Sequence, residues 1–262
     1  MSDAADGRLI VLGSSGAWPE AGRACSCFVV EFAGTRVVLD LGYGTIGPLL
    51  SHLGNSAGDG IDAVVITHHH PDHAVDLHGL FRARLFGRPG GPPGPLYAPE
   101  GVLRLMATIE DDAEDAILTV FDWHPLPGPA ATVGAFTLTA FEVPHFVPAV
   151  GVRLEADGLV LAYTGDTGPS PVLEDLGRDA DLYIVEATDR YQQPGAPPAP
   201  PGPALHLDSI GAGAVALRAG ARRLMLTHFW PGNDRELSRA QARQEFGGEV
   251  LLAEEGLTVA LP

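Results

Sequence analysis

The chain is poor in cysteine, in basic residues and in long apolar runs. Only two of its 262 residues are cysteine, Cys25 and Cys27, one residue apart. In a strand they share a face with Cα atoms roughly 6.5–7 Å apart, at the upper limit of disulfide geometry, so a mutual disulfide is not expected. A metal site built on two thiols would need further partners. No apolar stretch approaches the roughly 18 residues that span a bilayer. The first residues, MSDAADGRLIVLG, hold no basic segment and only four consecutive apolar residues, Leu9 to Leu12. A secretory leader is therefore not expected, and the cytoplasm is the expected location. Basic residues number 16 against 33 acidic ones, a formal net charge of −17, and none cluster beyond Arg222-Arg223. Nucleic-acid binding draws most of its affinity from Lys and Arg on phosphates. Nucleic acid is thus not an expected partner, and a small-molecule substrate is.

What is present suits one mixed α/β domain over residues 1–262, with 45% hydrophobic and 19% charged residues. Strands are expected at 8–12, 27–32, 35–41, 61–67, 136–143, 151–155, 159–164, 181–185, 223–227, 250–253 and 257–261. Ala33-Gly34 and Asp157-Gly158 mark hairpin turns. Helical spacing covers 45–53, 76–86, 101–117 and 208–219, the acidic run 110–115 being read as a solvated face. The segments 88–95 and 194–203 are rich in Pro and Gly and are expected to be loops. No repeat or domain linker stands out.

The strongest chemical signal is Thr67-His68-His69-His70-Pro71-Asp72-His73, directly after an expected strand. Neutral imidazoles suit Zn²⁺, and a carboxylate can complete a second position. His145, Asp166, Glu186 and His228 each follow another expected strand. Function in layered α/β proteins gathers at the loops beyond one end of the strands. One polar residue at a strand end means little, but four of them and the histidine run suggest a single focus.

Residues 8–255 resemble a metallo-β-lactamase-fold hydrolase of the branch that includes RNase Z and small bacterial cyclic-nucleotide phosphodiesterases. The matching segments are THHHPDH at 67–73, VPH at 143–145, YTGDT at 163–167, VEAT at 185–188, LHLDS at 205–209 and LTHFW at 226–230. The resemblance implies a four-layer αββα sandwich and two divalent metal ions, with Zn²⁺ favoured and Mn²⁺ or Fe²⁺ suiting the same residue types. It assigns His68, His70 and His145 to one metal and Asp72, His73 and His228 to the other, with Asp166 bridging. It makes Asp72 a holder of the metal-bridging hydroxide, His206 a proton donor to the leaving oxygen, and Glu186 the residue that orients His206. His69 points away from the metals on this pattern, and His52, His78 and His124 are read as structural. Relatives of this kind are often homodimers.

Three activities follow. The first is hydrolysis of a small, cyclic nucleotide-like phosphodiester. The second is RNase Z-type processing of tRNA 3′ ends. RNase Z enzymes carry a tRNA-gripping arm between the positions matching His145 and Asp166. Here those residues stand only 21 apart, and the arm is missing. The third is hydrolysis of a lactone or thioester, since the fold hosts many chemistries. The segment 194–203 lies between Glu186 and His206 in sequence and is a candidate border of the site.

Overall fold

Unbroken apolar runs give the central strands two buried faces, and a strand buried on both sides needs a layer on each. In the computed structural model, which describes residues 7–111, 113–193, 195–196 and 201–262, that demand is met by two seven-stranded sheets packed face to face. The strands are β1 Gly7–Gly13, β2 Cys27–Phe32, β3 Thr35–Leu39, β4 Ala63–Val65, β5 Gly94–Ala98, β6 Phe121–Pro125, β7 Ala131–Val133, β8 Phe136–Val143, β9 Ala149–Ala156, β10 Leu159–Tyr163, β11 Leu182–Glu186, β12 Arg223–Thr227, β13 Glu249–Leu252 and β14 Thr258–Leu261. One sheet runs β14-β1-β2-β3-β4-β5-β6 and the other β13-β12-β11-β10-β9-β8-β7. In β1, Leu9 and Val11 enter the core between the sheets, while Ile10 and Leu12 face the helices. In β11, Leu182 and Ile184 point inward and Tyr183 and Val185 outward. This period of two is what a pleated strand buried on both faces requires.

The helices are α1 Ile46–Leu53, α2 Pro71–Ala74, α3 Leu77–Gly87, α4 Glu100–Ile109, α5 Glu114–Leu118, α6 Val172–Leu176, α7 Ser209–Ala219 and α8 Arg235–Ala242. Leu49, Leu80, Phe81, Val102 and Met106 cover the outer face of the first sheet. Leu173, Ala212, Val215 and Ala242 cover that of the second. The order of layers is therefore helix, sheet, sheet, helix, the expected sandwich.

Strand direction places the site. β3, β4, β5 and β6 pair in parallel, as do β10, β11, β12 and β13. β8 is antiparallel to β9, and β9 to β10, so β8 and β10 share a direction. The carboxyl ends of β8, β10, β11 and β12 thus open on one edge of the second sheet, and each delivers one polar side chain there.

Several local expectations change. The helix expected at 101–117 is two, α4 and α5, with the break inside the acidic run, of which residue 112 lies outside the described residues. The loop expected at 88–95 ends two residues early, since β5 begins at Gly94. Of the Pro-rich segment 194–203, residues 194 and 197–200 lie outside the described residues. Cys25 and Cys27 are buried free thiols. Among the described residues no helix is long and apolar enough to cross a membrane.

Candidate metal centre

The histidine run leaves β4 through Thr67 and His68 and turns at His70, whose extended backbone precedes Pro71 at the first turn of α2. Proline there is preset for helix and forfeits no needed N–H. The turn keeps His68 and His70 in the loop and puts Asp72 and His73 on the short helix, so four side chains converge within six residues.

They converge in two groups that share one carboxylate. In the first, His68 Nε2 and His145 Nε2 each lie 3.0 Å from His70 Nδ1, and they lie 3.8 and 3.7 Å from Asp166 Oδ2. In the second, His73 Nε2 and His228 Nε2 lie 3.1 and 3.3 Å from the other oxygen, Asp166 Oδ1, with Asp72 Oδ2 3.2 Å from His228 Nε2. The donor atoms within each group all fall inside 4.8 Å of one another. The six residues expected as ligands thus lie in two groups of three around the shared Asp166. Gly165 makes the bridge possible: its φ is +57°, and a Cβ there would sit 2.9 Å from Thr67 Cβ.

Partners on the far side fix the rings. His73 Nδ1 lies 2.8 Å from Asp40 Oδ2, which also accepts from the Tyr163 hydroxyl at 2.8 Å, while Asp40 Oδ1 accepts from the Thr67 N–H at 2.7 Å. His145 Nδ1 lies 3.0 Å from Leu205 O, His68 Nδ1 3.1 Å from Thr67 Oγ1, and His228 Nδ1 2.9 Å from Thr188 Oγ1. Asp72 Oδ2 accepts from the Ala17 N–H at 2.6 Å. Such bonds set the tautomer and orientation of a ligating imidazole. Asp40, Thr188 and Ala17 were not singled out from sequence. Asp40 had a signal, a carboxylate at the end of the apolar run Val37-Val38-Leu39; a backbone N–H such as that of Ala17 has none.

The charges fit divalent cations. Asp40, Asp72, Asp166 and Glu186 are all buried, and the groups facing them are imidazoles, hydroxyls and backbone N–H groups rather than arginines. Buried carboxylates without cationic partners are costly. Burial raises the Asp166 and Asp72 carboxyls, but the surrounding histidine charges win and hold both well below the usual range. Burial lowers the imidazoles of His68 and His70, the latter to about 4, favouring the neutral form that binds metal. Among the described residues His73 Nε2 and Asp166 Oδ1 are fully buried and have no hydrogen-bond partner, as atoms reserved for a cation would be.

His206 stands at the rim, its side chain 20% exposed, with Nδ1 3.1 Å from Glu186 Oε2 and 3.9 Å from Asp166 Oδ2. Glu186 ends β11 fully buried, held by the Thr167 N–H and the Thr188 hydroxyl. Burial disfavours the His206 cation, but the Glu186 charge and hydrogen bond outweigh it and push the imidazole up to about 9. The remaining histidines are engaged elsewhere: His52 with Glu31, His78 with Glu110, and His124 stacked on Tyr97. His69 faces α4, where a Cβ on Gly101 would meet its ring at 2.3 Å.

Known proteins resemble the chain over nearly its whole length. The β-lactamase superfamily domain matches residues 35–229. An uncharacterized protein of Mycobacterium tuberculosis is 34% identical, covering 93% of this chain and 88% of its own length. The crystal structure of the metallo-β-lactamase-fold protein YhfI of Bacillus subtilis superposes with a TM-score of 0.81 at 26% identity, covering 98% of this chain and 99% of that one. The sequence of YhfI is described as a probable metallo-hydrolase. Ribonuclease Z of Myxococcus xanthus is 27% identical, covering 97% of this chain and 98% of its own.

Proposed function

The chain belongs to the β-lactamase superfamily and is a metal-dependent hydrolase, and from that premise we propose that it hydrolyses a small, cyclic nucleotide-like phosphodiester. The observation that carries this reading is the His206–Glu186 pair at the rim of the two ligand groups. A leaving alkoxide needs a proton, whereas the thiolate that leaves a thioester does not, and His206 is built to hold a proton near neutral pH.

We assign His68, His70, His145 and Asp166 to one cation and Asp72, His73, His228 and Asp166 to the other, with Zn²⁺ best suited to a set this rich in imidazole. Two divalent cations held there would supply Lewis-acid charge to the phosphoryl oxygens and acidify a water molecule between them. Asp166 keeps the two groups at a common centre by offering one oxygen to each. Asp72 Oδ2 takes the Ala17 N–H and faces His228 Nε2, which leaves Oδ1 to orient the attacking water by accepting a hydrogen bond from it. His206 is bound to Glu186 through Nδ1, so the Nε2 proton is the one available to the leaving oxygen.

RNase Z-type cleavage remains the second reading, favoured by the Myxococcus relative. Against it, His145 and Asp166 are joined here by little more than the β9–β10 hairpin, so no arm projects between them. The net charge of −17 also opposes a long polyanion.

The leaving group tests the role of His206. His206→Ala should lower kcat by at least about 10²-fold on a diester with an alkoxide leaving group, the lower range for general acid catalysis. It should cost far less on a p-nitrophenyl ester, whose leaving group departs unprotonated. Equal losses on both substrates would remove His206 from the acid role.

A further inference from the structure

Beside His206 the surface opens into a cavity of about 690 Å³. That is far more than a phosphoryl group occupies, and it lies inside the roughly 300–1,000 Å³ usual for sites that enclose a whole small molecule. Phe146 forms the end next to the metal ligands, its ring 5.2 Å from His145 and 5.9 Å from His206, yet it is 60% exposed. Tyr191, 40% exposed, lines the same cavity. An apolar ring left bare beside a reactive centre is an unpaired stacking surface.

The polar lining is rich in donors. Arg190 lines the cavity with its guanidinium 5.1 Å over the Trp230 ring. Among the described residues it makes no hydrogen bond or ion pair, in a chain where acidic residues outnumber basic ones by 33 to 16. A guanidinium that rests one face on an aromatic ring keeps its N–H edge free. Gln241 accepts the Ser209 hydroxyl on Oε1 at 2.9 Å, and among the described residues its amide N–H groups have no partner. The Asp208 carboxylate on this wall caps α7 through Oδ1, at 2.7 Å from the Gly211 nitrogen.

We infer that this cavity is the subsite for a nucleobase of the substrate, stacked on Phe146 with its acceptor edge read by Arg190. The inference rests on the phosphodiesterase reading for what reaches the metals, and it narrows the substrate to a base-bearing diester. Guanine fits the donors better than adenine: it presents two adjacent acceptors, N7 and O6, where adenine presents one acceptor and a donor. The base would occupy the cavity while the phosphoryl group sits at the ligand groups, so Phe146 and Arg190 determine specificity without touching the reacting bond.

Binding of monophosphates, which hold no diester to cleave, to the metal-loaded protein tests this apart from any hydrolysis. Calorimetric affinities would be measured for guanosine monophosphate, adenosine monophosphate and ribose 5-phosphate. The expected order is guanosine over adenosine over ribose phosphate, with a gap of at least about tenfold between the first and last, as one stacked base supplies by alanine substitution. Phe146→Ala should erase the advantage of both nucleotides over ribose phosphate. Arg190→Ala should erase the preference for guanosine and leave adenosine binding nearly unchanged. Ribose phosphate binding as tightly as the nucleotides, or a Phe146→Ala protein that keeps their advantage, overturns the inference. Nucleotide binding of the expected kind in a metal-loaded protein that cleaves no diester would instead overturn the proposed function and leave the subsite standing.

Discussion

Asp40 is expected to be felt at the metals without touching one. It is buried, and its Oδ2 takes a hydrogen bond from Tyr163 while holding the back of the His73 ring. Asp40→Asn should weaken metal affinity by about 10–100-fold, the usual cost of losing such a partner, as read by competition with a chromophoric chelator. His69→Ala, inside the same histidine run, should leave that affinity unchanged, because the His69 ring faces α4. Equal losses in the two variants would contradict the division of the run. The sequence exposes the ligands more readily than their supports. Four ligating residues crowd into six positions at 68–73, whereas Asp40 lies 33 positions from the ring it orients. Thr188 contributes a hydroxyl of a common type, and Ala17 only its backbone, so neither leaves a chemical trace in the chain.

At the scale of elements, the loop after β1 is more than a connection. Gly16 N–H bonds Phe229 O at 2.9 Å, and Ala17 N–H bonds Asp72. A Cβ on Gly16 would lie 2.6 Å from the His228 ring. Gly16→Ala should therefore displace His228, lowering turnover by at least about tenfold, since small misplacements at a reacting centre are costly, with folding judged separately by thermal melting. On the opposite side, Glu31 at the end of β2 joins Arg8, Arg36 and His52. Burial raises its carboxyl, but those hydrogen bonds outweigh burial and bring it down to about 2. A carboxyl depressed in the fold stabilises at neutral pH and loses that contribution as pH falls through the unfolded value toward 2. Glu31→Gln should cost about 1 kcal/mol at pH 7, after allowance for solvent screening, and flatten urea midpoints between pH 4.5 and 2. An unaltered pH profile would show the cluster to be inert. The elements hidden from the sequence are the short or polar ones. β7 has three residues and α6 five. β6 carries Asp122 and His124 among its five residues and is backed mainly by Phe121. α8 reads as polar all round, and its clearest sign is Asp234, which accepts from Glu236 N and Leu237 N as the helix cap.

For the molecule as a whole, the two-sheet sandwich brings ligands from four separated stretches of chain to one edge, and the charge gathered there belongs to folded protein alone. Metals bound only in the folded state stabilise it by mass action, by about 4 kcal/mol at a concentration a thousandfold above Kd. Chelation should lower the melting temperature by about 8 °C or more, taking a few degrees per kcal/mol for a chain of this size. Scanning calorimetry with and without chelator checks this, and a melting point indifferent to both would contradict the reading of the orphaned His73 and Asp166 atoms. The layer order was implied by resemblance and follows from strands with two apolar faces. The meeting of His206 with Glu186, 20 positions away, is implied by resemblance and by nothing in the spacing; the fold brings it about by placing β11 against the segment before α7.

The measurement closest to the central claim is a turnover comparison on metal-loaded protein, with and without chelator, between a nucleoside cyclic phosphate and a lactone. The account predicts that the cyclic phosphodiester is opened, that chelator abolishes this, and that the lactone is cleaved far more slowly. Lactone turnover without any cleavage of the phosphodiester would contradict it.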